Sequence, residues 1–348
     1  MSRLRRILPR RIVRGVRDLQ RRAQIRTIRR AHARATQVGP RPVTLLPVTL
    51  AIPVHDDADR LARLLEMAQD IGFAQIIVVD DGSPVPVVVP DDVTLIRHDT
   101  PLGPGPARNA ALPHVTAPYM LFMDSDDLPT ADLPALLADL AGAGPFDLCL
   151  FRHIDSYSAS SGHWGQSPAD EALWQAAGLS IGALQEAPRA AWPLLAQTTN
   201  YPWNRISRTA FVMDHAIACA ATPVHEDIAP HWQGFAHAGR IIVSDRTCVW
   251  HMVAEAAGRQ TNRSGAERLR VFDALAPAVA VTRDADMRVA LLRFVLALTT
   301  WIRGMIAPAH RPAFEAALHD WLAQRARDWH DDLAARDPAL LARISGEA

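Results

Sequence analysis

Tyr119-Met120-Leu121-Phe122-Met123-Asp124-Ser125-Asp126-Asp127 is the stretch on which the chain turns. Five apolar residues of strand length run directly into three carboxylates within four positions. Carboxylates held that close repel one another, so folding them together is costly unless a cation is present. Hard oxygen ligands suit Mg²⁺ or Mn²⁺, which hold a few carboxylates and complete their shell with water or phosphate. The Asp-x-Asp spacing lets Asp124 and Asp126 point the same way. A polar turn capping the next helix would also employ Asp and Ser. The apolar run in front of the cluster favours the metal site.

A second strand upstream ends in the same manner. The β-branched run Ile76-Ile77-Val78-Val79 stops at Asp80-Asp81-Gly82-Ser83. Further strands are expected at Val48 to Ile52, Val93 to Ile96 and Phe146 to Phe151, and helices at Asp57 to Asp70 and Ala107 to Leu112. Another helix, capped by Thr130, should run through Leu140. Alternating elements with continuously apolar strands imply an α/β fold, a Rossmann-like, mostly parallel sheet flanked by helices. In open α/β sheets ligands bind beyond the carboxyl ends of the strands, so the two acid clusters should meet at one crevice.

The 348 residues fall into three parts by pattern: an arm and linker (1–42), a main domain (43–263, halved near 151) and a C-terminal helical region (264–348). Apolar residues make up 49%, enough for a sizeable core, and acids and bases balance at 37 each. Every formal base is Arg, a composition bias that weakens inference from any single Arg. Cys149, Cys219 and Cys248 form no CxxC or Cys/His zinc pattern and are expected to be buried, reduced thiols. Arg interrupts each apolar stretch near the start, so no secretory signal is expected, and the protein is placed in the cytoplasm.

Residues 1 to about 36 are Arg-rich with one acid, Asp18. Leu4, Leu8, Ile12, Val16 and Leu19 recur at helical spacing. Such an arm could lie on an anionic membrane surface, which would make the protein peripheral on the cytoplasmic face of the inner membrane. It could equally pack on the main domain or form a solvated tail. It has no aromatic residue for base stacking, so nucleic acid is not an expected partner.

Other residues carry chemistry less specifically. Asp80 and Asp81 could accept bonds from a base or ribose, or close a plain Asp-Gly turn. The loop Gly103-Pro104-Gly105-Pro106 leads to Arg108, which could face a diphosphate, and lacks the Walker Lys. His225-Glu226-Asp227 offers a carboxylate for general-base work or a helix cap. His251 could be a metal ligand or a buried polar side chain.

The order of these segments resembles the family 2 inverting glycosyltransferases, which have the glycosyltransferase A fold. The matching stretches are Ala51 to Asp56, Val78 to Ser83, Gly105 to Ala110, Leu121 to Asp127, Tyr201 to Arg205, and Glu226-Asp227. His55-Asp56 stands where Tyr-Asn is usual, and Arg205 where Lys is common. The resemblance implies a nucleotide-sugar donor (most often a UDP-sugar), a divalent cation (Mn²⁺ or Mg²⁺) and a glycan or glycolipid acceptor. Carried over, Pro53 and Val54 would line the base pocket beside His55, and Asp80 or Asp81 would contact base and ribose. Arg108, Asp124 and Ser125 would lie at the nucleotide. Asp126 would be the principal metal ligand, helped by Asp124, and Trp203 and Asn204 would face the acceptor. Asp227 would be the catalytic base, supported by Glu226. Two other readings remain: a sugar-phosphate nucleotidyltransferase, which would want a Gly-rich basic signature near the first strand, and a degenerate domain serving as a scaffold.

Overall fold

The computed structural model describes residues 44–156, 159, 162, 164–179, 184–252 and 263–346. The Arg-rich arm and its linker lie outside the described residues. The first half runs β1 (Val48–Val54), α1 (Ala58–Ile71), β2 (Gln75–Asp80), β3 (Thr94–Arg97), α2 (Pro104–Ala111), β4 (Tyr119–Phe122), β5 (Leu128–Pro129), α3 (Asp132–Ala141) and β6 (Leu148–Asp155). There follow α4 (Pro168–Ala176), β7 (Gln185–Glu186), α5 (Trp192–Leu195), β8 (Arg205–Arg208), α6 (Thr209–Asp214), α7 (Ile228–His237) and β9 (Ile241–His251). The C-terminal region is helical: α8 (Val271–Val281), α9 (Ala285–Met305), α10 (Arg311–Asp328), α11 (His330–Arg336) and α12 (Pro338–Ser345).

The described strands form one sheet in the order β3-β2-β1-β4-β8-β6-β9-β5, with β7 also on β9. The β1, β2, β3 and β4 pairings are parallel, as is β6 with β9. β8 enters antiparallel between β4 and β6. From β1 the chain moves outward to β2 and β3, then returns to the other side of β1 as β4. That reversal creates a switch point, where ligands of open α/β sheets bind. Asp80 ends β2, which pairs in register with Val54, and Asp124 follows β4 on the opposite flank of β1.

Helices cover both faces. Leu61, Leu64 and Leu65 of α1 and Leu133, Leu136 and Leu137 of α3 pack on Leu50, Ile52 and Val78 on one face. On the other face Trp232 and Phe235 of α7 meet Leu275 of α8 and Leu291 and Val295 of α9 in a single core, so the C-terminal helices are continuous with the sheet domain. α2 begins three residues earlier than the sequence spacing suggests, because Pro104 occupies the first helical turn, where its missing N–H costs nothing. β6 starts later than expected and runs farther, through Asp155. Thr130 does serve the helix it precedes, its hydroxyl accepting from the Asp132 N–H at 3.1 Å. The three cysteines are buried and unpaired, and among the described residues no helix is long and apolar enough to cross a membrane.

Asp147 pins β6, β8 and the start of β9. Its carboxylate accepts from Arg208 Nη2 at 2.6 Å, Gly239 N at 2.6 Å and Arg240 N at 3.0 Å. Burial opposes its charge, but these donors prevail and hold its pKa below the usual carboxylate value. A depressed folded-state pKa gives stability that is present above the unfolded pKa and lost as pH falls through the folded one. Asp147→Ala should therefore lose about 2–3 kcal/mol at neutral pH and show a flatter acid limb. Urea denaturation at several pH values checks both.

Candidate active site

The carboxylate cluster forms by a tight turn. The Asp127 N–H donates to the Asp124 carbonyl at 3.0 Å, folding the chain back after β4. Ligand oxygens of Asp124, Asp126 and Asp127 lie within 4.8 Å of one another. Asp127 is fully buried; its Oδ1 accepts from His251 Nδ1 at 2.8 Å and Met252 N at 3.0 Å. Its Oδ2 is buried with no hydrogen-bond partner. Burial drives the Asp127 pKa up, partly offset by His251; burial lowers that of His251, and Asp127 more than restores it. Three converging carboxylates and an orphaned buried oxygen fit a hard divalent cation. His251 meets this cluster through Asp127, with its ring stacked on Trp203 at 4.8 Å.

Arg108 joins the cluster to the second acidic motif. From α2 its Nη2 donates to Asp124 Oδ1 at 2.6 Å and its Nη1 to Glu226 Oε1 at 2.9 Å. The guanidinium is buried, which disfavours charge, yet the two carboxylates hold its pKa well above the ordinary Arg value. Glu226 is thereby committed. Asp227, at the start of α7, caps no helix N–H with its side chain and forms no ion pair among the described residues. Burial and the neighbouring Glu226 push its carboxyl up to about 8, against the opposing pull of Arg108. Behind it lies a mainly apolar cavity of about 50 Å³, lined by Asp227, Arg205, His231, Asn109, Phe122 and Pro202 among others. Arg205 is buried there, its Nη2 donating to His231 Nδ1 at 2.8 Å, and burial lowers its pKa to about 10.

Several expected contacts fall elsewhere. Asp80 is sealed: it accepts from Ser83 N at 2.9 Å, Val87 N at 3.2 Å and Arg97 Nη1, and has no exposed surface for a base. Asp81 instead grips the Gly-rich loop, its Oδ1 accepting from Leu102 N at 2.9 Å and its Oδ2 from Gly103 N at 2.8 Å, with His98 Nδ1 also on Oδ1. Val54 points into the core while Pro53 stays partly exposed, because successive strand residues face opposite ways. His55 is exposed, its Nδ1 donating to the Asp81 carbonyl at 2.8 Å. Ser125 donates to Asp57 Oδ2 at 3.0 Å, tying the cluster to the start of α1. Trp203 is 1% exposed and lies beneath the site between His251, Tyr201 and His153, too deep to face an acceptor. Asn204 is turned inward to Arg205.

Sequence reading missed Arg60. Its Nε donates to Asp57 at 2.6 Å and its Nη1 lies 3.8 Å from Asp126 Oδ2. The Asp57/Arg60 spacing at the start of a helix was the available signal. Gly105 was visible as part of the Gly-rich loop, but its close approach to the acidic motif was not. A Cβ there would lie 2.3 Å from the Ala220 carbonyl oxygen and 3.0 Å from Glu226 Cβ, so only glycine lets α2 approach the acidic loop.

Comparison with known proteins follows the same lines. Residues 49–191 match the family model Glycosyl transferase family 2. Those residues belong to that family. The family 2 domain so defined contains the first four sequence motifs and ends before Tyr201 and Asp227. The pre-mycofactocin glycosyltransferase of Mycobacterium tuberculosis is 36% identical over 104 residues, 27% of this chain and 22% of that protein. Succinoglycan biosynthesis protein ExoO of Rhizobium meliloti is 35% identical over 107 residues, 28% of this chain and 31% of that protein. The matched stretch thus spans less than a third of either relative's length. Among solved structures, S. aureus TarS 1–349 in complex with UDP-GlcNAc superposes with a TM-score of 0.62 at 17% identity, covering 86% of this chain and 90% of that one. Its complex with UDP gives 0.59 at 18%. The fold is the glycosyltransferase A fold, and the likeness extends beyond the family 2 domain into the C-terminal helices.

Two outcomes test this geometry. A Gly→Ala change in a helix ordinarily gains about 1 kcal/mol, whereas Gly105→Ala should lose a net 1–3 kcal/mol or thereabouts by overpacking; an unmoved urea midpoint would contradict the close approach. Arg60→Met removes a positive charge beside Asp126 and should tighten binding of Mn²⁺ alone, by calorimetry, a fewfold.

Proposed function

We propose that the protein is an inverting glycosyltransferase that moves a sugar from a UDP-sugar to a hydroxyl of a glycan or glycolipid acceptor, using a divalent cation. The observation that carries this is the Arg108 bridge. It sets a cation-fitting cluster, Asp124-Asp126-Asp127, beside a separate carboxylate, Asp227, that forms no ion pair among the described residues.

Asp126 and Asp124 would hold the cation, with Asp127 completing the cluster and His251 orienting Asp127. Bound there, Mn²⁺ or Mg²⁺ would offset the charge developing on the departing diphosphate. Asp227 would take the proton from the acceptor hydroxyl as that oxygen attacks the anomeric carbon. A base with a raised pKa holds the proton it accepts more firmly, and burial supplies that here. Glu226, fixed by Arg108, would keep Asp227 from turning away. One displacement inverts the anomeric configuration, and no enzyme nucleophile is required. The donor class is supported by the UDP-GlcNAc and UDP complexes of TarS and by the names of the curated relatives. The Arg-rich arm motivates an acceptor at an anionic membrane surface.

A thermal-shift screen of nucleotide-sugars with and without Mn²⁺ tests the proposal, since a ligand that binds only the folded state raises its melting temperature. A UDP-sugar should shift it only with Mn²⁺, and Asp126→Ala should abolish the shift. Asp227→Asn should keep the shift and lose transfer. Because Asp227 must be deprotonated to act, kcat/KM for transfer should climb with pH and level off above about 8. A pH-independent rate, or a nucleotide-sugar formed from a nucleoside triphosphate, would sink this function.

A further inference from the structure

Glu226 and Asp227 follow a residue in an unusual conformation. His225 has φ +64°, the left-handed region that non-glycine residues seldom occupy. That turn aims Glu226 toward Arg108 and starts α7 at once, the Ile228 N–H donating to the His225 carbonyl at 3.3 Å. The side chain explains how the turn is held. His225 Nε2 lies 3.2 Å from Nη1 of Arg268, and its ring meets Trp301 edge-on at 6.2 Å. Arg268 is 1% exposed. Its Nε donates to the Arg263 carbonyl at 2.8 Å, and its guanidinium lies 4.8 Å above the Trp301 ring. Arg268 comes from the short helical turn before α8 and Trp301 from α9, both in the C-terminal region beyond the family 2 domain.

We propose that Arg268 is a positioning residue: by clamping the His225 ring against Trp301, it fixes the turn that presents Glu226 and Asp227 to the site. The catalytic part of this inference rests on the role proposed for Asp227. Arg can only donate hydrogen bonds, so Nε2 must be the bare, accepting nitrogen and the imidazole must be neutral with its proton on Nδ1. Burial, with Arg268 adding to it, lowers the His225 pKa to about 3, in line with that tautomer. The arrangement gives the C-terminal helices a task in the reaction that acts through His225.

The test uses the full chain labelled with ¹⁵N-histidine, the His225 signal being assigned by its loss in His225→Asn. From pH 5 to 8, His225 should show one protonated and one bare nitrogen and no titration. In Arg268→Met the Nε2 loses its donor, so its nitrogen shift should move and its pKa rise, while burial still holds it below the ordinary imidazole value. Titration of His225 in the unaltered protein would overturn the clamp, and this result needs no substrate. With a nucleotide-sugar that the protein turns over, Arg268→Met should lower kcat about tenfold or more while leaving donor KM within twofold, since small misplacements of a reacting group are costly. His225→Ala should lose kcat alike. His225→Asn, which tolerates the left-handed turn and offers an acceptor oxygen, should recover most of it. An equal loss in donor affinity, or an unchanged kcat, would overturn the positioning role. Absence of any turnover would count against the proposed function alone, the imidazole signals still deciding the clamp.

Discussion

A single buried guanidinium ties the candidate site together. Arg108 reaches Asp124 with one nitrogen and Glu226 with the other, across 118 positions of sequence to the latter. A charge so buried is costly unless paired, and each carboxylate is in turn stabilised by it. The pairing obliges α2, the end of β4 and the turn before α7 to stay in one place. Gly105, one helical turn ahead of Arg108, permits the approach by having no side chain to hold the acidic loop away.

Around that bridge the sheet supplies position and the loops supply groups. β1 separates the two acid-ended strands and lies at the topological switch. The two clusters then divide their tasks. Asp80 and Asp81 spend their oxygens on backbone N–H groups, Arg97 and His98, and so build the floor and the Gly-rich loop. Asp124, Asp126 and Asp127 converge with one oxygen unsatisfied. Similar acid-ended strands therefore end in different chemistry, one structural and the other open to a cation.

The α/β class and the succession of elements were legible in the sequence, because strand-length apolar runs ending in acids report the sheet and the ends of its strands. Which carboxylates remain available was not legible. Asp80 and Asp126 look alike as letters; only the placement of Ser83, Val87 and Arg97 around Asp80 closes it off. Trp203 illustrates the same limit. The resemblance turns it toward the acceptor, yet its ring is 1% exposed and stacks on His251. Arg60 and Arg268 escaped notice in a chain whose every base is Arg, where the residue type carries no signal until its partners are seen. The later motifs lie past the family 2 domain: Arg205 is held by the pairing of β8 with β6, and Glu226 by the Arg108 bridge, long-range contacts that no local pattern encodes.

In this account Asp227 acts as a base across from the departing diphosphate, so the reaction is one displacement at the anomeric carbon. The anomeric configuration of the released or transferred sugar tests that most directly. Proton NMR during turnover of an α-linked UDP-sugar, recorded before mutarotation, should show the β anomer as first product. An α product would contradict the account, since a single displacement from the face opposite the leaving diphosphate cannot retain the configuration.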